Sequence, residues 1–243
     1  MRESRSSLRP TKEVVRLHLL GGFEVVRDGL PVQLPIGPQR LIAFVALRPR
    51  PVRREYAAGM LWLDSSDERA AANLRSTLWR VQKLVPGLLT TADGRLQLGA
   101  DVEIDLRVAE EVAQRIFDGS QGDEPPDTVD LLRADLLPDW YEDWVQSERD
   151  RFRQLRLSVL ETLCDRHASA GRLGEALELG LLSVATEPLR ESGYRALIRV
   201  HMAAGNAVEA IRQYGVCRRL LRDQLGIEPT EQLQALMESL GSS

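Results

Sequence analysis

A repeat of 34 residues in the second half of the chain constrains its fold more than any other feature. Residues 167–171 (His-Ala-Ser-Ala-Gly) are followed 34 residues later by residues 201–205 (His-Met-Ala-Ala-Gly), and residues 175–177 (Glu-Ala-Leu) are followed at the same spacing by residues 209–211 (Glu-Ala-Ile). This period, with a glycine turn between two helical segments, is typical of tetratricopeptide repeats, in which stacked helix pairs bury a continuous core. The pattern predicts a tetratricopeptide-like all-α domain over residues 100–243.

The start of the chain has the alternating pattern of short strands. Apolar and polar residues alternate over residues 15–19 and again over residues 23–25. Gly21-Gly22 supplies a turn between these runs, and Asp28-Gly29 supplies a turn toward residues 32–34. We therefore expect a small antiparallel sheet.

Three helical segments and a hairpin follow the sheet. The helices are predicted over residues 38–47, 53–63 and 65–85, and the third has Ser65 and Glu68 at the spacing of a capping box. Two short runs then bracket Ala92-Asp93-Gly94, which has the residues of a tight hairpin turn. Strands, three helices and a terminal hairpin form a winged helix-turn-helix, predicted here over residues 14–99. The fold class is thus mostly α with a small β component.

The third helical segment is amphipathic, with one apolar face and an opposite face that is polar and basic. At 3.6 residues per turn, the polar face carries Asn73, Ser76, Arg80 and Lys83. An α-helix fits the major groove of B-DNA, where Arg or Lys reads guanine and Asn pairs with adenine. The alternative is an ordinary solvated helix face, which most such stripes are.

Charges around this helix refine the set of candidate DNA contacts. Asp67 and Glu68 in its first turn repel phosphates, which favours the four residues above over Arg69. Arg75 flanks the face and can reach a base or a phosphate. The remaining candidates contact the DNA backbone: Arg95 beside the hairpin turn, Gln39 and Arg40 at the start of the first helix, and Arg53 and Arg54 at the start of the second.

Charge is divided unevenly along the chain. Residues 1–98 contain 16 Lys or Arg and 9 Asp or Glu, a net charge of +7, whereas residues 99–243 contain 16 and 27, a net charge of −11. This asymmetry favours a basic module that meets a polyanion and an acidic module with another role. Two oppositely charged domains that dock on each other are the alternative.

Residue types that usually carry catalysis or bind metals are sparse. His167 and His201 share one phase of the repeat and are interpreted as packing residues, and Cys164 and Cys217 lie among apolar neighbours. No glycine-rich stretch has the spacing and the lysine of a phosphate loop. We therefore expect no catalytic residues, no cofactor, no metal site and no enzymatic activity.

The acidic residues Asp139, Glu142 and Asp143 surround Trp140, Tyr141 and Trp144. A carboxylate pair can serve acid–base chemistry, but a solvated acidic face beside packed aromatic residues is far commoner. We adopt the second interpretation.

Features of the whole chain indicate a cytoplasmic protein that has no membrane partner. The longest apolar run, residues 41–47, is far shorter than the about 20 residues of a membrane helix. Residues 1–13 show no periodicity and no secretory signal, and are predicted to be a mobile tail. Residues 118–126 form a polar loop rich in proline and glycine.

Residues 54–80 resemble the DNA-binding module of the actinobacterial antibiotic regulatory protein (SARP) family. The likeness is carried by residues 61–70 (Leu-Trp-Leu-Asp-Ser-Ser-Asp-Glu-Arg-Ala), which lead into residues 73–80 (Asn-Leu-Arg-Ser-Thr-Leu-Trp-Arg). The second half is similar to the bacterial transcriptional activator domain of that family. The matching stretches are Asp135-Leu136-Leu137-Pro138, Trp144, Glu148-Arg149, Glu175-Ala176-Leu177, Glu187-Pro188-Leu189-Arg190-Glu191 and Leu225-Gly226-Ile227-Glu228-Pro229.

The resemblance implies an OmpR-like winged helix joined to a tetratricopeptide-type activator domain. Carried onto this sequence, the reading helix is residues 69–83, which adds Arg69 and Thr77 to the candidate contacts. Members of the family bind direct repeats in promoter DNA as side-by-side protomers and recruit RNA polymerase, partly through its sigma factor. They often control secondary-metabolite gene clusters.

The sequence thus predicts a sequence-specific DNA-binding transcription activator that is a homodimer on DNA. Its partners would be double-stranded promoter DNA and RNA polymerase, including the sigma factor. The alternative is a helical-repeat adaptor that binds proteins and whose winged helix does not bind DNA.

Overall fold

The computed structural model describes residues 14–119 and 128–241. The predicted tail at residues 1–13, and most of the predicted loop at residues 118–126, lie outside the described residues. The chain divides into two compact units. The first contains the residues up to Val108 together with Asp135–Glu148, and the second contains Ala109–Ala134 and the residues from Arg149 onward. The boundary between residues 99 and 100 stays a prediction.

Among its described residues, the first unit contains seven short strands and three complete helices. The strands are β1 (Val15–His18), β2 (Glu24–Arg27), β3 (Leu30–Pro31), β4 (Val52–Arg53), β5 (Leu89–Ala92), β6 (Arg95–Leu98) and β7 (Val102–Ile104). The helices are α1 (Ile36–Ala46), α2 (Arg54–Leu61) and α3 (Asp67–Leu84).

The first sheet has the strand order β3-β2-β1-β7. Strand β1 pairs with β2, and β2 with β3, in antiparallel fashion as predicted. The position predicted for the third strand is wrong, because β3 is Leu30–Pro31 and residues 32–34 lie outside any strand. Asp28 (φ 50°) and Gly29 (φ 80°) form the tight turn between β2 and β3, a conformation that aspartate and glycine tolerate well. The parallel pairing of β1 with β7 was not predicted, and the all-α assignment of residues 100–243 is wrong at Val102–Ile104, which form β7.

The second sheet forms the wing and has the order β4-β6-β5. Asp93 (φ 50°) and Gly94 (φ 71°) occupy the turn between β5 and β6, which confirms the predicted hairpin. Strand β4 has two residues, too few for a periodic signal, and it pairs Val52 with Leu96 and Arg53 with Arg95. This pairing ties the start of α2 to the wing.

The helices begin and end close to the predicted positions, with differences that have local causes. Helix α1 begins at Ile36, so Pro38 lies within the first turn, where its missing N–H costs no hydrogen bond. The N-cap of α3 is Ser66, and its side chain makes no capping hydrogen bond. The predicted capping box is therefore wrong, because the third helical residue after Ser66 is Arg69 instead of an acceptor such as Glu68.

Residues 135–148, here called the strap, complete the core of the first unit. The Gly21 N–H donates to the Asp135 carbonyl and the Leu137 N–H donates to the Leu19 carbonyl, both at 2.8 Å. Leu136 and Leu137 are fully buried. The winged helix therefore includes a segment more than 30 residues beyond its last strand, counted from the end of β7.

Aromatic packing and ion pairs hold the rest of the strap. The Trp144 ring meets the Phe44 ring edge-on, with centroids 5.2 Å apart. Arg40 Nε lies 2.9 Å from Glu142 Oε1, with both side chains partly buried. The predicted packing of Trp144 is confirmed, but the solvated acidic face is wrong at Glu142, because this carboxylate pairs with α1.

The second unit is built from helices, as predicted. These are the greater part of α4 (Asp105–Phe117), α5 (Thr128–Arg133), most of α6 (Asp143–Ser169), α7 (Leu173–Thr186), α8 (Glu191–Ala203), α9 (Ala207–Leu225) and α10 (Glu231–Gly241). None of the described helices is long and apolar enough to cross a membrane.

The 34-residue repeat appears as two helix endings with the same geometry. Gly171 (φ 76°) and Gly205 (φ 71°) both adopt the left-handed conformation that closes a helix. The residue after each glycine donates its N–H to the carbonyl of the repeat histidine, at 2.9 Å to His167 and 2.8 Å to His201. Both histidines are buried. The predicted repeat is thus a structural one.

The two cysteines lie in the helical core. Cys164 and Cys217 are 0% and 1% exposed, which confirms their interpretation as core residues. Burial raises the pKa of each thiol to about 12, so both remain protonated near neutral pH.

Candidate nucleic-acid interface

Helix α3 presents a continuous polar face to solvent. The reading face, defined here as Arg69, Asn73, Ser76, Arg80 and Lys83, is exposed at every position, and the flanking Arg75 is exposed as well. The opposite side packs into the core through Ala70, Leu74 and Val81. All six of these candidate contacts therefore lie at the surface, as the predicted amphipathic pattern requires.

Thr77 is the exception among the candidates on α3. Its side chain is only 6% exposed and lies on the packed side of the helix, near Gly37 of α1. The assignment of Thr77 to the interface is wrong, because a match over a continuous stretch of helix includes residues from both faces.

The wing brings two further cations together. Arg53 on β4 lies directly across from Arg95 on β6, and both side chains are exposed. Like charges at directly opposed positions of a sheet repel each other. An anion bound between the two guanidinium groups would relieve this repulsion, which makes the pair a candidate phosphate site.

The arginines of the candidate interface differ from those of the second unit in whether they pair with carboxylates. Within residues 14–119 and 128–241, six interface arginines form no ion pair: Arg53, Arg54, Arg69, Arg75, Arg80 and Arg95. By contrast, many arginines of the second unit pair with carboxylates: Arg133–Glu178, Arg151–Glu110, Arg190–Glu161, Arg199–Asp165, Arg212–Glu209 and Arg222–Glu228. The interface cations are therefore available to a polyanion.

Gln39 and Arg40 are committed to contacts inside the first unit. Gln39 Nε2 donates to the Leu34 carbonyl at 2.7 Å, and Arg40 Nε donates to Glu142 Oε1 at 2.9 Å. Arg40 is therefore neutralised by the strap. These two candidates hold α1 in place, and we leave them out of the interface.

A groove of about 520 Å³ lies beside the wing. Its lining includes Arg50 and Arg53, which belong to the segment joining α1 to α2, and Tyr56 in the first turn of α2. Arg50 and Arg53 are exposed there, so the basic surface extends from the wing toward the end of α1.

Trp79 on α3 was not predicted to have a role. Its side chain is 63% exposed, and the Lys83 ammonium lies over its ring at 5.1 Å from the centroid. The helical phase could have revealed it, because Trp79 falls between the reading face and Arg75.

Comparison with known proteins agrees with this architecture. Residues 109–240 match the family model described as the bacterial transcriptional activator domain. The chain is 28% identical over 239 residues to the regulatory protein AfsR of Streptomyces coelicolor, and 25% identical over 249 residues to AfsR of Streptomyces griseus. These matches cover 93% and 96% of this chain but only 24% and 25% of the relatives, so the chain spans about a quarter of their length.

A solved structure shares the fold. Mycobacterium tuberculosis EmbR, determined in complex with a low-affinity phosphopeptide, superposes with a TM-score of 0.81 at 20% identity. The match covers 95% of this chain and 66% of EmbR. The winged helix, the helical unit and the family match over more than half of the residues agree with the SARP resemblance of the sequence. The chain belongs to the bacterial transcriptional activator domain family and has an N-terminal winged helix, the architecture that the SARP resemblance implies.

Proposed function

We propose that this protein is a sequence-specific DNA-binding transcription activator that has no catalytic activity. The observation that carries the proposal is the reading face of α3, which is exposed, cationic and free of ion pairs within the described residues. Clustered cations repel one another when only solvent faces them. The closely spaced phosphates of DNA would offset this repulsion.

Helix α3 has the dimensions and side chains of a major-groove reader. Its 18 residues span about 27 Å, and its packed side is fixed by α1 and α2. Arg80 and Lys83 can each donate to the two acceptors of guanine, and the Asn73 amide matches adenine. Asp67 and Glu68 lie in the first turn, so contacts begin about one turn later.

The wing contacts the backbone beside the groove in this proposal. Arg53, Arg54 and Arg95 surround the β4–β6 pairing and would bind phosphates without reading sequence. Their role is to fix the register in which α3 meets the bases.

The helical unit serves the activation step. Many of its arginines pair with carboxylates, and residues 99–243 carry a net charge of −11, which repels DNA. We therefore assign to this unit the contacts with a second protomer and with RNA polymerase, including the sigma factor. Protomers would lie side by side on direct repeats in promoter DNA. The SARP resemblance of the sequence supports control of a secondary-metabolite gene cluster as the biological role.

Salt titration of DNA binding tests the proposal. The full chain is titrated with duplexes isolated by binding-site selection, and the logarithm of affinity is followed against the logarithm of salt concentration. A slope of about −0.9 is expected for each phosphate neutralised, so Arg53→Ala and Arg95→Ala should each reduce the slope by about one. Arg212→Ala is the matched control, because this exposed arginine already pairs with Glu209.

The adaptor alternative predicts a different outcome. A helical-repeat adaptor with an inactive winged helix would show no salt-dependent affinity for any duplex. The same titration therefore decides between the two functions.

A further inference from the structure

Trp79 is an exposed aromatic residue in the middle of a charged surface. With 63% of its side chain exposed, it is the most exposed tryptophan among the described residues. Exposed indole surface is unfavourable in water, and tryptophan is enriched where one side chain is to be covered by a partner. The contacts within the described residues leave most of this side chain uncovered.

The neighbours of Trp79 indicate the chemistry of that partner. One helical turn away on either side are Arg75, Ser76, Gln82 and Lys83, all exposed. The nearest carboxylates on α3, Asp67 and Glu68, lie at its other end, more than about 15 Å away along the axis. The surroundings of the indole thus offer hydrogen-bond donors and positive charge, which complement a polyanion such as DNA and not a basic or purely apolar protein surface.

The cation–π contact with Lys83 strengthens this argument. Lys83 Nζ lies 5.1 Å from the ring centroid, so the indole orients an ammonium group that belongs to the reading face. Trp79 therefore presents apolar surface and a positioned charge together at one edge of that face.

We propose that Trp79 is a specificity-determining DNA contact, which packs its indole against a thymine methyl group in the major groove. This inference rests on the proposed function, because it requires α3 to enter the groove. The thymine methyl is the apolar group that the major groove displays, and an apolar side chain beside it distinguishes thymine from cytosine.

The test combines protein variants with DNA duplexes from which single thymine methyl groups have been removed. The full chain and its Trp79→Ala and Trp79→Phe variants are titrated with the selected duplex. Each thymine in that duplex is replaced in turn by deoxyuridine, which lacks only the methyl group. Leu63→Ala is the matched control, because Leu63 is 77% exposed in the same unit but lies outside α3. Circular dichroism confirms that each variant is folded.

We expect the effect of removing the Trp79 side chain and the effect of removing one thymine methyl group to depend on each other. Trp79→Ala should weaken binding about tenfold, while Trp79→Phe and Leu63→Ala remain close to the parent chain. One deoxyuridine should weaken the parent about fourfold and leave Trp79→Ala unaffected. Because tryptophan is uncharged, the salt slope of Trp79→Ala should equal that of the parent.

Three outcomes would overturn the inference while leaving the proposed function intact. These are parental affinity in Trp79→Ala, equal effects of every deoxyuridine on both proteins, and a loss of self-association without DNA, which would place Trp79 against a second protomer. Failure of the parent chain to bind any duplex would instead remove the proposed function, and the inference with it.

Discussion

Replacing Trp144 by alanine tests whether the strap is part of the DNA-binding unit. The side chain is 7% exposed and packs edge-on against Phe44, with Trp140 at 6.1 Å between ring centroids. Substitutions of this kind cost about 3–5 kcal/mol. The Trp144 indole N–H has no hydrogen-bond partner among the described residues, so only packing is lost, and we expect a value near the lower end, about 3 kcal/mol.

A loss of this size lowers the stability of the first unit without unfolding it, because domains are stable by about 5–15 kcal/mol. The assay is urea denaturation of the full chain, followed by circular dichroism and by DNA binding. Reaction of the buried Cys164 and Cys217 with a thiol reagent reports the second unit separately. In Trp144→Ala, DNA binding should disappear at a urea concentration at which both thiols are still protected.

The matched control is Tyr141→Ala, in which an 83% exposed aromatic residue of the same strap is removed. Its stability should stay within about 0.5 kcal/mol of the parent. If Trp144→Ala and Tyr141→Ala lose DNA binding at the same urea concentration, the strap does not stabilise the first unit and the reasoning is refuted.

The remaining predictions concern the wing and the helical core. Gly99→Ala should destabilise the first unit by about 1–3 kcal/mol in urea denaturation, because the new methyl group would lie 2.2 Å from the Gly87 carbonyl oxygen; an unchanged midpoint would contradict this. Arg95→Ala should weaken binding to specific and non-specific duplexes by the same factor, as a phosphate contact does, and a change in sequence preference would count against it. Cys164 and Cys217 should resist a thiol reagent at pH 8 until the chain unfolds, since burial raises the pKa of both thiols to about 12; rapid labelling of the folded protein would show that their surroundings open.

Local sequence signals predicted much of the fold. The glycines that end two helices at a 34-residue spacing, and the Asp-Gly pairs of two hairpins, act through backbone conformations that few other residues adopt. Such signals depend on neighbouring residues alone, so they can be read before any tertiary contact is known.

Features that depend on contacts between distant parts of the chain were not predicted from the sequence. Strand β7 is defined by its parallel partner β1, and the strap is defined by the pocket around Phe44 that it fills. Strand β7 has only three residues, and its alternation of apolar and polar residues is too short to identify a strand; the strap has no regular periodicity. The error at the N-cap of α3 is of a different kind, since one residue of shift between Ser65 and Ser66 is enough to abolish a capping box.

In the candidate interface, too, some features follow from local sequence and others depend on distant contacts. The reading face follows from helical phase, which is why Asn73 and Arg80 could be identified, whereas the pairing of Arg53 with Arg95 requires the register of two strands. Arg40 and Glu142, which form an ion pair, lie about 100 positions apart in the chain, so no local pattern predicts this contact.

The most direct test of the account is a comparison of binding-site selections by the full chain and by its Arg80→Ala variant, with Arg212→Ala as the control. If α3 reads the major groove, Arg80→Ala should lose about 1–3 kcal/mol of binding free energy and should relax the preference for guanine at one position of the site. Arg212→Ala should select the parental site with parental affinity. Selection of the same site by Arg80→Ala with undiminished affinity would contradict the claim that this face of α3 contacts the bases.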